Sequence, residues 1–408
     1  MALEDRRTEK VDGPRLGNGP VTKRNVAILV TVMLAAKFLV FFSFYLIANG
    51  HFPSPAVEYL VPESMTTALR TISTDWDGLI YQLISSAGYS SSFKASELYA
   101  FSPFYPAFVY VGALVTGSYW TSALVVTSLF GFIFPIVLLK IFDLRTALIA
   151  ELFPVYIVYT ITGYSDTLAL TFLALALLCY LKGRPLLAGL ASALAGLVLY
   201  DLFIAAIAFV AFAALPLVRR RASPRQVINA ILPLALPTLV AGAAVLVVYQ
   251  VATGDPFTFF KLERAYWDVA LTTPVGQVQW IFNGSGPGSF TDITWYVFGV
   301  RFNSLYWVLR NALFEAFFLA GIYMLAKMRG LPQRWLLVGY STLFTIPLLF
   351  VQGTPVYSVP RLLLAAFPVF YGYSARVLNR NWVLALYVVA SLVAACWVLI
   401  SFTFAFFA

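Results

Sequence analysis

What this chain has little of excludes several chemistries at once. Its 408 residues include one histidine, His51, and two cysteines, Cys179 and Cys396. A single imidazole rules out a polyhistidine metal site. Both cysteines sit inside apolar runs and read as buried, inert thiols, because a disulfide between hydrocarbon helices needs a close and specific geometry. Charge is scarce too: 11% of residues are Asp, Glu, Lys or Arg, against 61% hydrophobic. No soluble domain of this size has that balance, and runs of about 20 apolar residues mean transmembrane helices. A net charge of +9 would suggest nucleic acid in a soluble protein. Here the basic residues cluster in short loops between apolar runs. The excess is therefore a topology signal, with membrane lipids and their anionic headgroups as partners and no nucleic acid. No cleavable signal peptide shows. Residues 1–25 are polar and carry Arg6, Arg7, Lys10, Arg15, Lys23 and Arg24; they read as a disordered cytoplasmic tail. Residues 26–408 then form a single transmembrane domain with no separate soluble unit.

What is abundant is hydrophobic sequence at membrane-spanning length. Spans are expected at about 26–48, 119–141, 145–162, 166–182, a hairpin over 185–218, 226–251, 303–326, 333–351, 361–376 and 382–405, eleven in all. Residues 103–116, opened by Pro103 and Pro106 among aromatics, are assigned to a juxtamembrane or re-entrant helix. Lys37 inside the first span reads as snorkelling or helix-facing. Lys140, Arg145, Arg219–Arg221, Lys327, Arg329, Arg334, Arg376 and Arg380 mark the cytoplasmic side. This sets the N-terminus inside and places two long polar loops, 49–101 and 253–300, outside. The run Asn283-Gly284-Ser285-Gly286-Pro287-Gly288 lacks the preceding strand and lysine-serine ending of a phosphate loop. No internal repeat is evident.

That topology collects a polar set on one face: Asp75, Asp77, Tyr164, Asp166, Asp201, Lys261, Arg264, Gln352, Tyr357 and Arg361. The centre of it is Thr74-Asp75-Trp76-Asp77-Gly78, two carboxylates and a tryptophan before a short amphipathic run. Acids and bases above a hydrophobic groove suit a substrate with a charged head and an apolar tail, such as a polyprenyl phosphate sugar. Transfer from such a donor needs a carboxylate to take the acceptor's proton and a cation to stabilise the departing phosphate. Asp77 and Asp75 fit the first need. Arg361, with two donors on one planar group, Lys261 and Arg264 fit the second. Trp76, Tyr164, Asp166, Asp201 and Tyr357 are candidates for the sugar or acceptor. Each has a plainer reading: Asp75, Asp77 and Asp166 as helix caps, Asp201 as a buried paired carboxylate, Arg361 as a headgroup anchor. No metal ligand set and no cofactor is implied; a divalent metal stays open.

Trp76-Asp77-Gly78, followed by Tyr81, Ala87-Gly88-Tyr89 and Phe101-Ser102-Pro103-Phe104-Tyr105-Pro106, resembles the first outer loop of the PIG-V type mannosyltransferases, the GPI mannosyltransferase 2 family of the GT-C fold. Tyr164-Ser165-Asp166, then Gly254-Asp255-Pro256 with Phe260 and Trp267, then Ser358-Val359-Pro360-Arg361 with Phe367-Pro368 are similar in the same order. The resemblance implies an all-α polytopic GT-C fold with the catalytic acid in the first outer loop. It also implies a dolichyl-phosphate mannose donor and transfer with inversion to a glycolipid or lipid-linked acceptor. Asp77 matches the acid after the tryptophan and Asp166 the second outer acid. Asp75 stands where relatives often carry a basic residue. Tyr200-Asp201 departs from the pattern, since relatives tend to carry a basic residue there. The site is expected on the non-cytoplasmic face of the cell membrane or the ER. The competing classes are a polytopic lipid or sugar transporter or flippase, for which inverted repeats would speak, and a non-catalytic subunit of a glycosylation complex.

Overall fold

A computed structural model describes residues 16–48, 64–90, 95–218, 223–283, 295–297, 300–302 and 304–405. The described chain is a polytopic, all-helical bundle. Five helices are long and apolar enough to cross a membrane, within Lys23–Ala48, Tyr119–Ile141, Pro224–Thr253, Ser304–Ala326 and Asn381–Ala405. At 1.5 Å per residue, about 20 residues match the hydrocarbon core. Their outer faces carry exposed apolar side chains such as Val251, Leu313 and Val393, which suit lipid and would be a liability in water. Shorter apolar helices, among them Asp166–Leu181 and Pro185–Val198, fill the interior. Short helices are tolerated where other helices enclose them.

Three expected spans are broken. The segment 145–162 is two short helices, Leu144–Glu151 and Pro154–Tyr159. Proline cannot donate to the preceding turn, so a helix starts at Pro154 and does not run through it. The segment 333–351 leaves α-helical geometry after Thr345 and continues as a 3-10 turn that includes Pro347. The segment 361–376 is divided into Val359–Leu362, a 3-10 turn to Ala366, and Val369–Arg376 after Pro368. Residues 104–116 form a helix of 13 residues, about 20 Å long and too short to cross. Gly117, at φ 71°, turns it back against Tyr119–Ile141. The hairpin over 185–218 has Tyr200–Ile204 as a 3-10 turn at its tip. The expected tail ends earlier than residue 25. Leu16 is buried, the backbone N–H groups of Gly17 and Gly19 donate to Ile141 and Lys140, and the first helix begins at Lys23. Lys37 faces the bundle, its Nζ 4.6 Å from the centre of the Phe132 ring.

The described residues of the two polar loops include several helices. The first holds Met65–Thr74, Asp77–Ala87 and the short Ala95–Leu98. The second holds Thr258–Trp267 and Pro274–Asn283. A two-residue antiparallel pairing of Ala270–Leu271 with Val351–Gln352 ties the second loop to the segment before Arg361. A second short pairing joins Trp295–Val297 to Val300–Phe302. The glycine-rich run after Asn283 and His51 lie outside the described residues.

Candidate active site

The site begins with a turn. Met65–Thr74 ends at Asp75, and Trp76 takes φ 52° and ψ −121° before the next helix opens at Asp77. A bulky residue with positive φ is a strained conformation, held only where surrounding structure fixes it. Tyr164 does so here. Its buried hydroxyl accepts the Asp77 backbone N–H at 3.2 Å and donates to the Asp75 carbonyl at 3.5 Å. Gly78 completes the fit: a Cβ there would lie 2.4 Å from the Ser73 carbonyl oxygen, so no other residue lets the two helices close.

The turn separates the two acids. Asp77 projects into a cleft, whereas Asp75 points into the protein, its Oδ2 without a partner among the described residues. Burial pushes the Asp75 carboxyl up to about 7. Asp75 therefore does not stand beside Asp77 as an active-site pair, contrary to the sequence reading. Asp77 is not a side-chain cap either: the cap position is Trp76, which makes no capping bond.

Arg361 joins the site together. Its Nη1 donates to Asp77 Oδ2 at 2.8 Å and its Nε to Asp166 Oδ1 at 2.7 Å. The three side chains are 8%, 20% and 6% exposed for Arg361, Asp77 and Asp166. The guanidinium also lies over the rings of Tyr164 and Tyr159, at 5.0 and 5.4 Å. A buried cation is stable only when paired and hydrogen-bonded, and the two acids and two rings meet that need. Nη2 has no hydrogen-bond partner among the described residues, which leaves one edge of the guanidinium for a ligand. Next to this trio, the Tyr81 hydroxyl hydrogen-bonds Ser165 at 2.9 Å.

The cleft is open, with a cavity volume of about 170 Å³. Its lining includes Asp77, Tyr81, Phe101, Ser102 and Arg361. The lining also includes Tyr200 and Asp201 from the 3-10 turn Tyr200–Ile204 and Phe259, Glu263 and Trp267 from the helix Thr258–Trp267. Lys261 and Arg264 are on the same helix as Glu263 but on another face. Both are exposed, Lys261 pairs with Asp255 at 2.5 Å, and neither lines the cleft. Tyr357 is packed between Trp280 and Trp307, outside the lining; Trp76 packs half-buried against the same cluster. Of the sequence candidates, the structure gathers Asp77, Asp166, Tyr164, Arg361 and Asp201, and sets Asp75, Lys261, Arg264, Trp76 and Tyr357 elsewhere.

Two residues escaped the sequence reading. Glu263 enters the cleft because Phe259, Glu263 and Trp267 recur every four residues, one stripe of a helix; that spacing was available. Burial, with Asp201 and Asp77 nearby, pushes its carboxyl up to about 8. Arg310 lies buried within an apolar helix, where a charge demands a reason. Its Nη2 donates to the carbonyls of Val356 and Tyr357 at 3.2 and 2.8 Å, and Asn311 Nδ2 donates to Val356 at 2.8 Å. These bonds brace the strand of chain that leads into Arg361. Among the described residues no three His, Cys, Asp or Glu side chains gather as metal ligands.

No family model matches the sequence, and no curated protein sequence matches it. Among solved structures, ArnT from Cupriavidus metallidurans is similar in its apo state and bound to undecaprenyl phosphate. Each comparison gives a TM-score of 0.48 at 14% identity and covers 92% of this chain. The chain spans 64% of the length of that protein.

Proposed function

We propose that the chain is a membrane glycosyltransferase of the GT-C type that moves a sugar from a polyprenyl phosphate to a lipid-linked or glycolipid acceptor. Mannose on dolichyl or a related polyprenyl phosphate is the donor suggested by the PIG-V resemblance, and the cleft faces the non-cytoplasmic side. One observation carries the reading: a carboxylate, Asp77, held by a buried arginine at the mouth of a cleft set on apolar helices.

In this reading the acceptor oxygen forms a bond to the anomeric carbon as the bond from that carbon to the phosphate oxygen breaks. Asp77 takes the acceptor's proton, and the phosphate leaves with the bonding electron pair. A single displacement inverts the anomeric centre. Arg361 fixes the Asp77 carboxylate through Nη1 and presents Nη2 to the departing phosphate, whose growing charge it stabilises. Asp166 and Tyr164 hold the arginine and the turn in place.

The test is Asp77→Asn. Asparagine keeps the shape but cannot take the proton, so turnover should fall by roughly 10²–10⁴-fold. The assay is transfer of radiolabelled mannose from mannosyl polyprenyl phosphate to membrane lipids by the purified protein. A stable Asp77→Asn protein with near-normal transfer refutes the assignment.

A further inference from the structure

The lining contributed by Tyr200–Ile204 and Thr258–Trp267 has a chemistry of its own. Asp201 and Glu263 line the cleft together with the aromatic residues Tyr200, Phe259 and Trp267. Among the described residues, neither carboxyl has a hydrogen-bond or ion-pair partner; Glu263 feels the charge of Asp201, and Asp201 that of the more distant Arg361 guanidinium. Among the described residues the cleft lining has one cation, Arg361. Two of its edges are already taken by Asp77 and Asp166, and the third faces the donor phosphate in the reading above.

We infer that Asp201, Glu263 and Trp267 form the acceptor subsite, and that the acceptor's reacting unit is an uncharged sugar or polyol, with anionic sugars excluded. The inference rests on the glycosyltransferase reading and names the substrate class that reading leaves open. Its logic is one of supply. Sugar hydroxyls donate hydrogen bonds, and carboxylates are acceptors with several lone pairs. The apolar face of a sugar ring can lie against an indole. An anionic sugar would bring a charge into a cleft that already holds three acids and the donor phosphate, with no unclaimed cation among the described residues. An unpaired charge in such a place is costly, and like charges brought together are a means of rejecting a wrong partner. Burial, with Asp201 and Asp77 nearby, raises Glu263 to about 8, so the rejection of a second anion strengthens as pH rises through that value.

The probes are methyl β-D-glucopyranoside and methyl β-D-glucopyranosiduronate, alike except for one carboxylate. Binding to the full chain in nanodiscs is read by saturation-transfer NMR at pH 9, above the value to which burial raises Glu263, and without donor, so the outcome does not depend on transfer. The glucoside should bind at least about tenfold more tightly than the glucuronide. Glu263→Gln and Asp201→Asn each remove a charge while keeping hydrogen-bonding capacity, so either should narrow that ratio by severalfold. Trp267→Ala should weaken the glucoside. Equal or tighter binding of the glucuronide overturns the inference, as does failure of both probes to bind. So does a ratio unchanged in Glu263→Gln and Asp201→Asn. If the ratio behaves as expected but Asp77→Asn transfers sugar normally, the subsite stands and the catalytic reading fails.

Discussion

The coupling between Arg361 and Asp166 can be measured directly. Their Nε to Oδ1 contact is 2.7 Å, between side chains 8% and 6% exposed. Two unit charges about 4 Å apart interact by about 4 kcal/mol at an effective dielectric of 20. Part of that gain is offset by the cost of removing both from water. Asp166→Asn leaves Arg361 its bond to Asp77, so its cost should be about 2–3 kcal/mol. Arg361→Met strands two acids and should cost about 3–5 kcal/mol, the range for removing one partner of a buried pair. The double variant no longer has an Asp166 charge left without its cation. It should lose less than the sum of the singles, with a coupling of about 2 kcal/mol. The assay is equilibrium unfolding in mixed micelles, with sodium dodecyl sulfate titrated into a neutral detergent and tryptophan fluorescence as the signal. Additivity within about 0.5 kcal/mol would show that the contact contributes nothing specific, and the account of the site as one electrostatic unit would fall.

Two further outcomes follow from the same geometry. The folded protein holds a proton on Asp75 up to about pH 7, whereas its ordinary value is 3.8. Between those values the unfolded chain binds fewer protons, so stability should fall as pH rises through that window. Asp75→Asn should remove this loss, giving a variant more stable than the parent above pH 7 and no better below pH 4; an identical pH profile would contradict the burial of that carboxyl. The proposed sidedness is tested in a Cys179→Ser, Cys396→Ser background, with single cysteines at the exposed positions Ser86 and Lys261. Both should react with an impermeant thiol reagent in intact cells, and labelling of one alone would break the topology.

How much was legible in the sequence varied with the physics involved. Length and hydropathy placed the helices, because crossing a bilayer demands long apolar runs. The trio of Asp77, Asp166 and Arg361 was also visible, since ionisable groups beside apolar sequence are costly and therefore few. What sequence could not decide was direction. Asp75 and Asp77 are two residues apart, yet the left-handed Trp76 sends one inward and one into the cleft. Lys261, Glu263 and Arg264 are near neighbours on one helix, and only the helical phase decides that the acid, not the bases, enters the cleft. The broken spans at Pro154 and Pro368 carried their signal in plain view. Whether a proline kinks a helix or ends it depends on neighbours that satisfy the freed backbone groups, and those come from elsewhere in the chain.

The single guanidinium shared by two acids also has a meaning in time. Arg361 lies 284 residues after Asp77 and 195 after Asp166. A ribosome makes about 5–20 residues per second, so roughly ten seconds or more pass between the first acid and its cation. During that interval the two carboxyls belong to a chain without their counter-ion. An acid in apolar surroundings without a partner stays protonated or stays in water. The amino-terminal helices therefore cannot settle into their final packing around a charged Asp166 until the segment bearing Arg361 has been made. The candidate site is thus completed only once the segment bearing Arg361 has been made, and a protein cut short before that arginine lacks the cation that joins the two acids.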